Sequence, residues 1–186
     1  TGNQGLDMHA WFEGLKRGRA FVSSGPLLEM QVENALLGDT VALPSAGGKV
    51  TVNGQLRSVT QLQEVLLVCN GQLEERFPVQ GNGRSLEISY QLEVERSGWC
   101  HLRTEGNAEE RFPMDVNYVQ AFTNPIWFQV GNQPIRNSES TNYALQWIDK
   151  LQELAEAWPG WRSEAEKKHV YNQFEEARQV YRSKLD

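Results

Sequence analysis

A run with a strict period of two constrains this chain most. Leu86, Ile88, Tyr90, Leu92 and Val94 alternate with Glu87, Ser89, Gln91, Glu93 and Glu95. Successive side chains of a strand point to opposite faces, so the run reads as a strand with one buried and one wet face. Leu28, Met30 and Val32 alternate with Glu29, Gln31 and Glu33 in the same way, and Val50 and Val52 mark a third strand. Val65–Cys69 is continuously apolar, the pattern of a strand covered on both faces. Turn signals separate the runs: Gly38-Asp39, Gly47-Gly48, Asn53-Gly54, Asn70-Gly71, Gly81-Asn82-Gly83 and Ser97-Gly98. Asn70-Gly71 is the strongest hairpin signal, because a type I′ turn needs positive φ at both central residues. About eight short strands at this spacing predict a mainly β fold, a two-sheet immunoglobulin-like β-sandwich. Trp99 abuts Cys100, so the antibody order of Cys, Trp and Cys is absent.

Ahead of these strands, Trp11 to Leu28 reads as a short N-terminal helix with a glycine stop at Gly18. A short strand and a Gly25-Pro26 break into the next strand follow. From about Asn142 the period changes to that of a helix. Ala144, Trp147, Ile148, Leu151, Leu154, Ala155 and Trp158 mark one apolar face, and Pro159-Gly160 ends it. Ser163 with Glu166 forms a capping-box pair that starts a second helix, whose stripe is Val170, Phe174, Ala177 and Tyr181. The expected organisation is a junction helix and first strand over 1–26, a β-sandwich over 27–136, and a C-terminal helical hairpin over 137–186. The short loop between the helices favours a hairpin folded back on the sandwich as one compact unit. LEERFP at Leu73–Pro78 recurs as AEERFP at Ala108–Pro113, which two similar strand-exit turns explain.

The net charge of −6 and a pI near 5.2 argue against nucleic acid as a partner. The one basic cluster, Lys16-Arg17-Arg19, suits the cationic end of a helix. No apolar run approaches membrane-spanning length, so no membrane span is expected. The compartment stays open, an exported bacterial protein among the options. Cys69 and Cys100 each sit in a strand-like run and read as two small buried hydrophobes. A bridge between neighbouring strands is the alternative.

Few residues offer chemistry. The three histidines, His9, His101 and His169, are scattered. Asp7-Met8-His9 could place two ligands near one ion, but two donors alone make a poor site. Asp7 reads better as a helix N-cap, and a small hydrolase using Asp7 and His9 is the weakest option. No Gly-x-Ser-x-Gly elbow is present, so Ser23-Ser24-Gly25-Pro26 reads as a tight strand corner. Trp99, Trp127, Trp158 and Trp161 could form a surface for stacking sugar rings. Trp127 lies on the face opposite Ile126 and Phe128, where packing is expected. Trp158 and Trp161 flank the loop at Pro159-Gly160 and are the ligand-stacking candidates.

One segment carries a resemblance. Trp11, Leu15, Lys16, Gly18, Arg19, Phe21, Val22, Ser23, Ser24, Gly25 and Pro26 stand in the pattern W-x-x-x-L-(K/R)-x-G-R-x-F-(V/T)-(T/S)-(N/S)-G-P. This resembles the junction that follows the metal-binding domain in CehA/McbA-type metallohydrolases of the PHP superfamily and opens their C-terminal β-rich domain. Four later stretches resemble that domain in the same order: Val65–Gly71, Ser97–Arg103, Thr123–Gly131, and the ending with Trp147-Ile148 and Ala177–Tyr181.

The resemblance implies a non-catalytic accessory domain that packs against, and shapes, an upstream catalytic domain of the same polypeptide. It implies no catalytic residue and no metal ligand in this chain, with divalent metals expected only upstream. A first residue that is not methionine fits that expectation. The domain-interface candidates it marks are Trp11, Arg19, Ser23, Ser24, Gly25 and Pro26. From another class, the alternative is a free-standing carbohydrate- or ligand-binding β-sandwich.

Overall fold

The computed structural model describes residues 7–107 and 118–185. The second copy of the short repeat, at 108–113, lies outside them. The chain divides into two compact units, Thr1–Ile135 and Arg136–Asp186, and each is described by itself.

The first unit is mainly β. Helix α1 (Met8–Lys16) leads into β1 (Phe21–Ser23) and β2 (Leu27–Val32). β3 (Ala35–Leu36), β4 (Thr40–Leu43), β5 (Gly48–Arg57), β6 (Glu64–Cys69), β7 (Gln72–Pro78) and β8 (Ser85–Val94) follow. β9 (Gly98–Asn107), β10 (Tyr118–Thr123) and β11 (Ile126–Val130) complete the set. They form two sheets, consistent with the expected sandwich. One has four strands in the order β3-β2-β5-β8. In the seven-stranded sheet β9 is central, with β6 and then β7 on one side. On its other side β10 pairs with Arg103–Asn107 and β11 with Gly98–Cys100. β10 and β11 thus form one line broken at Asn124-Pro125. β1 pairs antiparallel with β10, and β4 pairs parallel with β11.

The core sits between the sheets, as the alternation requires. Leu28, Met30 and Val32 of β2, Val50, Val52 and Leu56 of β5, and Ile88, Leu92 and Val94 of β8 point inward. Val65, Leu67, Leu102, Val119, Ile126 and Phe128 face them from the other sheet. The strict alternation at Leu86–Val94 is one unbroken strand in register with all of β5. Asn70 and Gly71 have φ of 53° and 82°, the left-handed pair that the β6–β7 hairpin requires.

Four expectations are corrected. Asn53-Gly54 is not a turn but the middle of β5, paired with Met30 and Ile88. Gly54 is there because an added Cβ would lie 2.6 Å from Cδ1 of Leu102 in the opposite sheet. Leu73–Pro78 is not a strand exit but most of β7 itself. On β6, Val65 and Leu67 are buried while Leu66 and Val68 are half-buried, so only one face is fully covered. Finally, Cys69 and Cys100 are not free hydrophobes. They are direct partners across β6 and β9 and form a disulfide.

The second unit is a helical pair, α2 (Ser138–Glu156) and α3 (Glu164–Arg182). Asn137 caps α2 and Ser163 caps α3 through its hydroxyl to the Glu166 amide, 3.1 Å away. Glu166 returns its carboxylate to the Arg162 amide, one residue before the reciprocal partner of an ideal capping box. Arg178 of α3 clamps α2 through Asp149 Oδ1 at 2.9 Å and Gln152 Oε1 at 2.5 Å. The single apolar face expected of α2 is in fact two stripes. Thr141 and Ile148 are buried, whereas Tyr143, Trp147, Leu151, Leu154 and Trp158 form an exposed line at helical spacing.

Candidate functional site

The junction segment is built on a clasp. Gly18 ends α1 with φ 78°, and Gly38 ends the β3–β4 turn with φ 83°. The two backbones lie so close that an added Cβ on Gly38 would sit 1.9 Å from the Arg17 carbonyl oxygen. Neither position can therefore carry a side chain. Arg19 then closes the clasp. Its guanidinium donates to the Leu37 carbonyl and, at 2.7 Å, to Asp39 Oδ1. Asp39 Oδ2 accepts from the Leu36 amide at 2.9 Å. The hydrogen bonds from Arg19 and from that amide hold the Asp39 carboxyl below the ordinary carboxylate value. The break at Asn124-Pro125 supplies the floor. Asn124 Nδ2 donates to the Gly18 carbonyl and Gly38 N to the Pro125 carbonyl, at 3.1 and 2.9 Å.

The Ser-Ser-Gly-Pro stretch is a self-satisfied corner. Ser23 Oγ donates to the Pro26 carbonyl at 2.5 Å and accepts from the Gly25 amide at 2.8 Å. Ser24 exchanges bonds with the Gln120 backbone on β10. Pro26 is buried. Of the interface candidates, Arg19, Ser24 and Pro26 hold the fold, Ser23 and Gly25 are exposed but bonded within the corner, and Trp11 offers an exposed apolar surface.

That surface is larger than the sequence marked. Helix α1 buries none of its nine residues. Met8, Trp11, Phe12 and Leu15 stand about half exposed, with Trp11 at 50%. On the sheet edge beyond the clasp, Val22 of β1 and Phe122 of β10 are direct cross-strand partners at 52% and 36% exposure. The outer face of the four-stranded sheet is mainly polar, with Leu27 and Leu36 exposed on it. Glu29, Thr51, Gln55, Glu87, Gln91 and Glu93 line it, with Gln91 Nε2 donating to Thr51 Oγ1 at 2.9 Å.

The remaining candidates separate. Asp7 caps α1, accepting from the His9 and Ala10 amides at 2.9 and 3.2 Å. Its carboxylate is thus committed to the helix end, with His9 exposed beside it. Among the described residues no three His, Cys, Asp or Glu side chains cluster to hold an ion. Trp158 is 60% exposed. Trp161 is half-buried, and its indole N–H is enclosed without a partner. The two are not equivalent members of one stacking surface. Trp99 and Trp127 are cross-strand partners on the outer face of the seven-stranded sheet, both half-buried rather than buried. The Trp99 ring lies 5.6 Å from that of His101, whose pKa burial pulls below the ordinary value.

A cleft of about 980 Å³ opens at one end of the sandwich, lined by Thr60, Gln61, Leu62, Asn82, Arg84 and Gln120 among others. Among the described residues that line it, the titratable ones are Arg84 and Glu105. Sequence reasoning missed Gly38, Asp39 and Asn124 in the clasp and Met8, Phe12, Leu15 and Phe122 on the surface. The pairing of Val22 with Phe122 has no local signal. The exposed stripe of α1 had one, in the spacing of Met8, Trp11, Phe12 and Leu15.

Among the described residues, no helix is long and apolar enough to cross a membrane. Compared with protein-family models and with curated proteins, the chain matches none.

Proposed function

We propose that this chain is a non-catalytic accessory domain whose α1–β1 edge packs against, and shapes, a catalytic domain of the metal-dependent PHP type joined ahead of it. One observation carries this reading: an apolar helix is tied at its exit yet has no buried residue. A nine-residue helix is too short to persist alone in water. Here the clasp fixes its exit while Met8, Trp11, Phe12 and Leu15 remain uncovered. Exposed apolar groups gathered on one edge, with a polar face elsewhere, mark an interaction surface.

The same geometry supports that occupant. The patch is built from the first element of the chain and the strand after it, so a domain joined ahead of α1 meets it at high effective concentration. Of the residues that match the metallohydrolase junction, Gly18 and Arg19 lie in the clasp and Ser23–Pro26 form the corner. Divalent metals would belong to that upstream domain.

The test has two parts. The coding sequence ahead of Thr1 should contain a His-x-His after a first strand, further His and Glu ligands, and an Asp-x-His near its end. A different upstream module, or none, overturns the reading. In the polypeptide that includes that region, Trp11→Ser with Phe12→Ser should lower the melting temperature. In this chain alone the same change should leave it unmoved, and an equal effect in both would mean that the two rings pack within this domain.

A further inference from the structure

We propose that the Cys69–Cys100 disulfide is a shielded structural cross-link, gained from a thiol–disulfide oxidase, and that the protein therefore works in an oxidising compartment. The sequence holds two cysteines, so neither has a rival partner within the chain. They are direct partners at the last rung of β6 and β9 before the β6–β7 turn. Cys100 is 2% exposed. The next residue along locks that end. Asn70 N donates to the Trp99 carbonyl at 2.9 Å and Asn70 Oδ1 accepts from the Trp99 amide at 3.0 Å. The Asn70 side chain fills the space where a Cβ on Gly98 would stand, 2.2 Å from it.

Cys69 is half-buried, so it is the Cys100 sulfur that a reductant reaches only when β6 and β9 part, which opens the core between Leu67 and Leu102. Reactive thiols sit in exposed, electropositive settings, whereas Cys100 is enclosed. A bond that stays closed in the folded state is no switch. Such bonds persist outside the reducing cytosol.

The chemistry balances with the oxidase as electron acceptor. One cysteine thiolate attacks the oxidase disulfide to give a mixed disulfide. The second cysteine thiolate displaces the oxidase sulfur, forming the Cys69–Cys100 bond. The oxidase leaves as a dithiol that carries the two electrons and the two protons. This inference does not depend on the accessory-domain reading.

Two measurements test it. Cells making the protein from its own gene are quenched in acid and alkylated with a maleimide under denaturing conditions, with and without prior reduction. Adducts at Cys69 and Cys100 should appear only after reduction, and two adducts without it would overturn the compartment. Separately, the folded protein in dithiothreitol should lose the bond no faster than it unfolds. Reduction that outpaces unfolding would overturn the shielding.

Discussion

Gly54 offers a sharp test of how the two sheets meet. Built onto its backbone, a Cβ lies 2.6 Å from Leu102 Cδ1, 3.3 Å from the Glu29 carbonyl oxygen and 3.4 Å from Ile88 Cδ1. Carbon atoms rest at ~3.5–4.0 Å, so Leu102 must retreat by roughly 1 Å. Leu102 is fully buried and has no solvent to swing into. Gly54→Ala should therefore cost about 1–3 kcal/mol, the usual penalty of overpacking. Leu102→Ala alone leaves a cavity and should cost about 2–5 kcal/mol. In the double variant the new methyl occupies part of that cavity, so its cost should fall short of the sum by ~1–2 kcal/mol. Urea denaturation of the four proteins gives the cycle directly. In an open strand, alanine in place of glycine would instead stabilise by about 0.5–1 kcal/mol. A stabilising Gly54→Ala, or costs that simply add, would refute the contact.

Other perturbations probe the clasp and the helices. Gly38→Ala combines the clash at Arg17 with a left-handed φ, itself worth ~1–2 kcal/mol, and should speed tryptic cleavage after Lys16 and Arg17; unchanged cleavage would mean that the clasp does not hold α1. Because the folded Asp39 carboxyl lies below its free value of 3.8, its stabilisation is present above that pH and fades as pH falls from there through the folded value. Asp39→Asn should remove that part of the acid sensitivity, and an identical acid profile in the variant would count against it. Arg178→Ala breaks the tie to Asp149 and Gln152 and should reduce the stability of the helical pair by about 1 kcal/mol, since Asp149 is mostly exposed. Circular dichroism of α2 and α3 during heating reads this, and no change would show the clamp to be incidental. The parent chain should leave a glycan array blank, and Trp158→Ala with Trp161→Ala should not change that; binding by the parent that the double variant loses would favour the ligand-binding alternative.

Much of the fold was legible because burial imposes a period. The alternation at Leu86–Val94 needed nothing beyond itself. Asn53-Gly54 and Asn70-Gly71 show where that legibility stops. The dipeptide is the same, yet one crosses the centre of a strand and the other turns a hairpin. The flanks do not separate them: Val50 and Val52 continue through Gly54 to Leu56, and Leu67 and Cys69 continue through Gly71 to Leu73 at the same spacing. The disulfide was left open because partnership between β6 and β9 depends on strand order, which no local signal carries. The clasp is less legible still, since Gly18 meets Asn124 across most of the first unit. On α2, mixing of the inner and outer stripes hid the exposed line from Tyr143 to Trp158, because residues three and four apart share a neighbourhood on any helix.

The edge that carries α1 also has a history in time. Phe21 of β1 waits for Thr123 of β10. Roughly 100 residues must be synthesised between them, about 5–20 s at ~5–20 residues per second. The β6–β7 hairpin can form from neighbours in sequence, while β1 stays a solitary strand with Phe21 and Val22 uncovered. Pairings this distant are slow to form and leave strand edges open to wrong partners meanwhile. The nascent chain is thus most vulnerable at β1, and a chaperone or an already folded neighbour on that side would shorten the interval that matters.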